Sequence, residues 1–171
     1  MNKFRVWHSS RDPYHCVFRM IRLLIVKASP LTIERLRVLD MLLLYPAMLY
    51  RVSLPDGLKR QLRELPIAKP EKSFLRLPSA ATVWQELQIY QSAALNHLAG
   101  RGLLDRVLLS NQQARLNDEA VPDELLAAAH SANQEQRSLL TFLRDGLSEL
   151  PDTGTEGLVR RAHLPARGPV L

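Results

Sequence analysis

Side chains able to do chemistry are sparse in this chain, and few are spaced to act together. The histidines at 8, 15, 97, 130 and 163 stand apart, and only His15 has a neighbouring ligand type, Cys16. A tetrahedral metal site draws on four ligands, usually as two close pairs, so His15-Cys16 reads as structural. No Gly-x-Ser-x-Gly nucleophile elbow is present. A phosphate loop places its glycines ahead of a helix, whereas Gly100-Arg101-Gly102 follows a helical stretch. The carboxylates fall mainly at helix starts and among surface charges. These absences predict a chain without catalytic residues, metal or cofactor.

Two sets of charges still have to be placed. Asp40 is the only charge in the apolar run from Val38 to Leu44. Burying an isolated carboxylate is expensive, so Asp40 must find a cation. Arg37 lies one helical turn before it, and the arginines of the preceding helix, Arg19 and Arg22, could reach it after folding. Arg101, Arg106 and Arg115 form the second set. They are the local basic residues downstream of the second strong helix, and the candidate contacts to nucleic acid or to a partner.

These residues are carried by a largely helical chain. Tyr14–Val26 shows helical spacing of Val17, Met20, Ile21 and Leu24, with Arg19 and Arg22 on the opposite side. Residues 31–50 form the central core helix, opened by Ser29-Pro30 and stopped or kinked by Pro46. Asp56 is placed to cap a short helix with a Leu58, Leu62, Leu65 stripe. Pro66, Pro70 and Pro78 then bound an extended basic stretch anchored by Phe74. A second strong helix follows over residues 79–99, capped by Ser79 or Thr82, with Gly100 expected as its left-handed C-terminal cap. Leu103–Leu109 and Ala114–Leu116 read as a hairpin around the polar turn 110–113. From Pro122 a stripe of Leu125, Ala129, Ala132, Leu139, Leu143 and Leu147 predicts a long C-terminal helix. That helix could either pair with another helix or fold back onto the core. Beyond Pro151 the periodicity is lost, and Arg160-Arg161 reads as a solvated basic spot.

The chain has 171 residues, of which 46% are hydrophobic, and this suffices for a sizeable core. One cysteine excludes an internal disulfide and suggests a reducing compartment. No apolar run approaches the ~20 residues of a membrane-spanning helix, and the early apolar segment carries arginines unlike a signal peptide. A cytoplasmic protein is expected. The net charge of +6 is uneven: residues 1–30 carry +5, 51–76 carry +4, and 111–150 carry −4. Such separation suits association with another macromolecule. The expected organisation is a winged-helix-like helical domain over 1–120, a helical arm over 121–150 and a disordered tail over 151–171.

Helix, glycine and hairpin in that order resemble the second half of a winged-helix domain, and so suggest a mainly α fold with a winged-helix-like core and a small β-hairpin wing. DNA contact is argued against by the helix that would read the groove. From residue 78 to residue 100 there is no lysine or arginine, and the one charge is Glu86. Duplex affinity rests on phosphate neutralisation, and base readout most often uses arginine or lysine. Such a scaffold therefore suits protein contacts first, with a winged-helix transcriptional regulator as the alternative. The run RLRVLDMLLLYPAML at 35–49, preceded by YHCVFRMIRLL at 14–24, resembles the middle components of bacterial ABC-three-component systems, over roughly residues 14–120. The likeness rests on Leu-Asp-x-Leu-Leu-Leu-Tyr-Pro at 39–46, a core signature with no active-site residue to carry over. It implies a non-enzymatic adaptor in a hetero-oligomer, of the kind found in Lamassu-like anti-phage and anti-plasmid systems. Its partners would be an SMC- or Rad50-like ABC ATPase and an effector, often a nuclease.

Overall fold

Helix α1, Pro13–Ile25, starts where Asp12 accepts the Tyr14 and His15 amides at 2.8 and 3.3 Å, and Pro13 supplies a ready-made first turn. The computed structural model describes residues 8–27, 29–70 and 78–165. The basic stretch with Phe74 and the end of the tail lie outside the described residues.

The central helix α2, Ile33–Leu44, begins later than Ser29-Pro30 suggests. Leu31 and Thr32 are drawn into an extended pair, β1, so Thr32 becomes the cap and accepts the Arg35 amide at 3.1 Å. From Ile33 to Leu43 only Glu34 is not buried, as a helix apolar nearly all round requires. Pro46 ends it in a 3-10 turn, Pro46–Arg51. Helix α3, Asp56–Glu64, buries Leu58 and Leu62. Asp56 sits inside its first turn and does not cap it, because Pro55 holds the cap position.

Helix α4, Ala80–Gly100, is capped by Ser79, whose hydroxyl accepts the Thr82 amide at 3.1 Å. Its C-terminal stop is Gly102, with φ of +69°, and not Gly100. The Leu103 amide reaches back to the Leu98 carbonyl at 2.9 Å across this left-handed residue, where any Cβ would be strained.

The segment after α4 departs from the hairpin reading. Leu104 and Leu116 form an antiparallel bridge, but between them Arg106–Ser110 closes into a short helix, α5. Asp105 causes this by accepting the Val107 and Leu108 amides at 3.0 and 3.1 Å. Strand β2, Gln113–Ala114, then pairs with β1, matching Leu31 to Ala114 and Thr32 to Gln113. The result is a mainly helical fold with one small two-stranded antiparallel sheet among the described residues.

The C-terminal stripe becomes two helices, α6 (Asp123–Glu135) and α7 (Arg137–Arg144), broken at Gln136, which leaves helical geometry. Both fold back: α6 packs on α1, and α7 on α2. Over 151–165 the tail is not disordered. It carries α8, Leu158–Arg161, packs on α2, and buries Leu158, Ala162 and Leu164. Arg161 is correspondingly not a solvated spot, since it donates to the Ser53 carbonyl at 2.6 Å and pairs with Glu156.

Candidate interaction site

Asp40 is fully buried at the meeting of α1, α2 and α4. Arg19 from α1 grips it with two nitrogens, Nε to Oδ1 at 2.7 Å and Nη2 to Oδ2 at 3.2 Å. Gln91 from α4 donates to Oδ2 at 2.9 Å and also to the Arg37 carbonyl at 2.9 Å. The Cys16 thiol donates to the same oxygen at 3.6 Å. On its far side Arg19 meets His15 Nδ1 at 2.8 Å and the Ser9 carbonyl at 3.2 Å. Burial opposes the charge on Arg19, and Asp40 more than offsets that, leaving its pKa above the ordinary value. Burial, followed by the Asp40 carboxylate, pushes the Cys16 thiol far above its usual range. A thiol held protonated in this way is a poor nucleophile and a poor metal ligand. His15 and Cys16 are thus both tied into the ion-pair network, and no metal-holding cluster of three His, Cys, Asp or Glu occurs among the described residues.

Arg37, the nearest cation in sequence, does not bind Asp40. It donates instead to Ser92 on α4 at 3.3 Å. Other arginines act in the same way, as pins between elements. Arg22 donates to Asn133 and Gln136 at 2.9 and 2.7 Å, fixing α1 to the end of α6. Arg35 pairs with Asp152 and donates to the Leu147 carbonyl at 2.9 Å, holding the 147–152 segment on α2. The pairing of Asp40 with an arginine of the preceding helix was expected from the sequence, whereas the contacts of Arg22 and Arg35 to the C-terminal segments were not. For the contact from α4 to Asp40, Gln91, a lone polar residue on the apolar face, was the available signal.

The three arginines expected at a surface come together. Arg101, Arg106 and Arg115 are exposed and line one open cleft of about 760 Å³. Carboxylates balance them there: Asp105, Asp118 and Glu119 share the lining. Arg115 pairs with Asp105 at 2.6 Å. The Leu108 amide, and then Arg115, hold the Asp105 carboxyl below its usual range. Val107, beside Arg106, is 73% exposed. A cleft mixing equal numbers of both charges next to an exposed aliphatic side chain offers no net field for a phosphate backbone. The exposed side of α4 nearby presents Gln85, Glu86, Gln88, Ile89, Ala93 and Asn96.

Compared with known proteins, the chain matches the family model for middle component 5 of ABC-three-component (ABC-3C) systems over residues 5–167. It belongs to that family. No curated protein and no solved structure matches it. The match takes in the core run at 39–46 and continues through the C-terminal helices. In this middle component, no helix among the described residues is long and apolar enough to cross a membrane.

Proposed function

We propose that this middle component is a non-enzymatic adaptor, joining an ABC ATPase of the SMC or Rad50 kind to an effector in a defence complex directed against phage or plasmid DNA. The observation that carries the reading is the family match over nearly the whole chain. Other features support it. The buried cluster of ionisable groups, Asp40, Arg19, His15 and Cys16, serves packing between three helices. The exposed surfaces that stand out are mixed ones, the Arg101–Arg106–Arg115 cleft with its acids and Val107, and the amide-rich side of α4 with Ile89. Interfaces between proteins use such mixtures, with apolar anchors inside a polar rim.

The cleft is the proposed partner contact. Co-expression of the tagged middle component with the ABC ATPase and effector encoded beside it tests the assignment. A stable complex containing all three chains, lost when either Arg101→Glu or Arg106→Glu is introduced into folded protein, is the expected result. A lone dimer that binds a specific duplex and ignores both neighbours would replace this reading with that of a DNA-binding regulator.

A further inference from the structure

Between β1, the last turn of α7 and the 148–152 segment lies a cavity of about 300 Å³ that shares no lining residue with the arginine cleft. Its walls bring three cationic side chains, Lys27, Arg35 and Arg144, against a single carboxylate, Asp152. Asp152 is already taken by Arg35, whose remaining donors go to backbone carbonyls. Arg144 is 3% exposed, makes no carboxylate ion pair among the described residues, although the Asp145 charge acts on it, and its Nε, like that of Arg37, makes no hydrogen bond there. One of its nitrogens, Nη2, donates to the Lys27 and Ser29 carbonyls at 2.8 and 3.1 Å. Nη2 also reaches Ser29 Oγ at 3.5 Å, which leaves Nε without an acceptor among the described residues.

A buried guanidinium normally meets a carboxylate or another anion, because its charge is costly away from water. Here a second guanidinium lines the same cavity, which adds repulsion to the cost. Burial pushes the Arg144 pKa below its ordinary value; the Asp145 charge partly opposes the shift and Arg35 adds to it. Lys27 stands half-exposed at the opening and reaches Asp145 only at 3.7 Å. Gln113 adds a neutral amide to the lining, while the Ser148 hydroxyl there donates to the Asp145 carbonyl at 2.5 Å. Arginine forks with amide donors recognise oxyanions.

We propose that this cavity binds a phosphate group, with Arg144 as its main ligand and Lys27 at its mouth. The space suits a phosphate with any attached nucleoside lying outside, so free phosphate and the terminal phosphate of a nucleotide share this chemistry. The site does not depend on the adaptor reading.

Thermal unfolding of the full chain tests it, with sodium phosphate or ATP titrated at constant ionic strength against chloride. At a ligand concentration about a hundredfold above Kd, the wild type should gain about 5–10 °C in Tm. Phosphate at high concentration stabilises proteins generally by exclusion from their surface, so the difference between wild type and variant reads the site. Arg144→Lys keeps the charge without the fork and should lose most of the gain. Lys27→Ala, at a half-exposed position where folding is not at risk, should weaken binding about tenfold. ATP acting at lower concentration than phosphate identifies a nucleotide source, and phosphate acting alone identifies the free anion. Equal responses of wild type and both variants, or no response to either ligand, would overturn the proposal.

Discussion

At the scale of single residues, the Arg19–Asp40 pair sets the terms on which three helices meet. Both members are at most 2% exposed, and Arg19 addresses both carboxylate oxygens. Removing one partner strands the other in a low-dielectric core, which costs about 3–5 kcal/mol, whereas replacing both by apolar residues of similar volume is often neutral. Asp40→Leu and Arg19→Met should therefore each lower the urea midpoint strongly. The double variant should recover toward wild type, because no buried charge is left stranded: Gln91, Cys16, His15 and the Ser9 carbonyl each lose one bond, and Gln91 keeps the Arg37 carbonyl. Additive losses in the double variant would show that the pair is not coupled. His15 gives the same network a pH dependence. Burial first, and the neighbouring Arg19 second, lower its pKa from 6.5. The unfolded chain then binds a proton that the folded one resists, so His15 lowers stability as pH falls through about 6.5 towards the folded pKa. Above that window its contribution is flat. His15→Gln should flatten stability between about pH 7 and pH 5.5 relative to wild type, as read from denaturant midpoints at each pH. An unchanged slope would remove His15 from the network's energetics.

At the scale of elements, the parts legible in the sequence were those fixed by local chemistry. The Tyr14–Val26 stripe, the apolar run of α2 with its Pro46 stop, and the Ser79 cap all follow from spacing or from a side chain reaching its own backbone. The errors arise where a distant partner competes. Leu31-Thr32 left the helix because β2, more than eighty residues on, takes its backbone as a strand. The 106–110 segment has strand-like aliphatic content, yet Asp105 offers two hydrogen bonds to a helical turn, and the strand is lost. Residues 158–164 lack periodicity but bury three apolar side chains against surfaces built elsewhere in the chain. The candidate surface was legible in part. Arg101, Arg106 and Arg115 do share one cleft, whereas the compensating acids Asp118 and Glu119 arrive from a separate turn. Nothing local marks Arg35 or Arg144 as buried, since their acceptors are carbonyls more than a hundred residues away in sequence.

At the scale of the whole molecule, burial changes what the net charge of +6 means. Arg19, Arg22, Arg35, Arg37 and Arg144 are buried, while Asp40 is the one buried acid among the described residues. Four of the six net positive charges are thus withdrawn from the surface. The exposed cations include Arg51, Lys59, Arg60, Arg63 and Lys69; in the arginine cleft they are matched by carboxylates, and they are absent from the exposed side of α4. Duplex binding without base contacts scales with the phosphates neutralised, and affinity falls steeply with salt in proportion to their number. The isolated middle component should accordingly show no measurable binding to a labelled duplex at about 150 mM salt, and only a shallow salt slope below it. Arg101→Glu combined with Arg106→Glu should leave that baseline where it is while weakening the proposed complex with an ABC ATPase. Fluorescence anisotropy over about 50–200 mM salt, run beside the co-purification, separates the two surfaces. Tight binding with a steep slope that collapses in the double variant would mean that the cleft meets phosphates despite its acids. The proposed adaptor reading would then give way to that of a DNA-reading subunit.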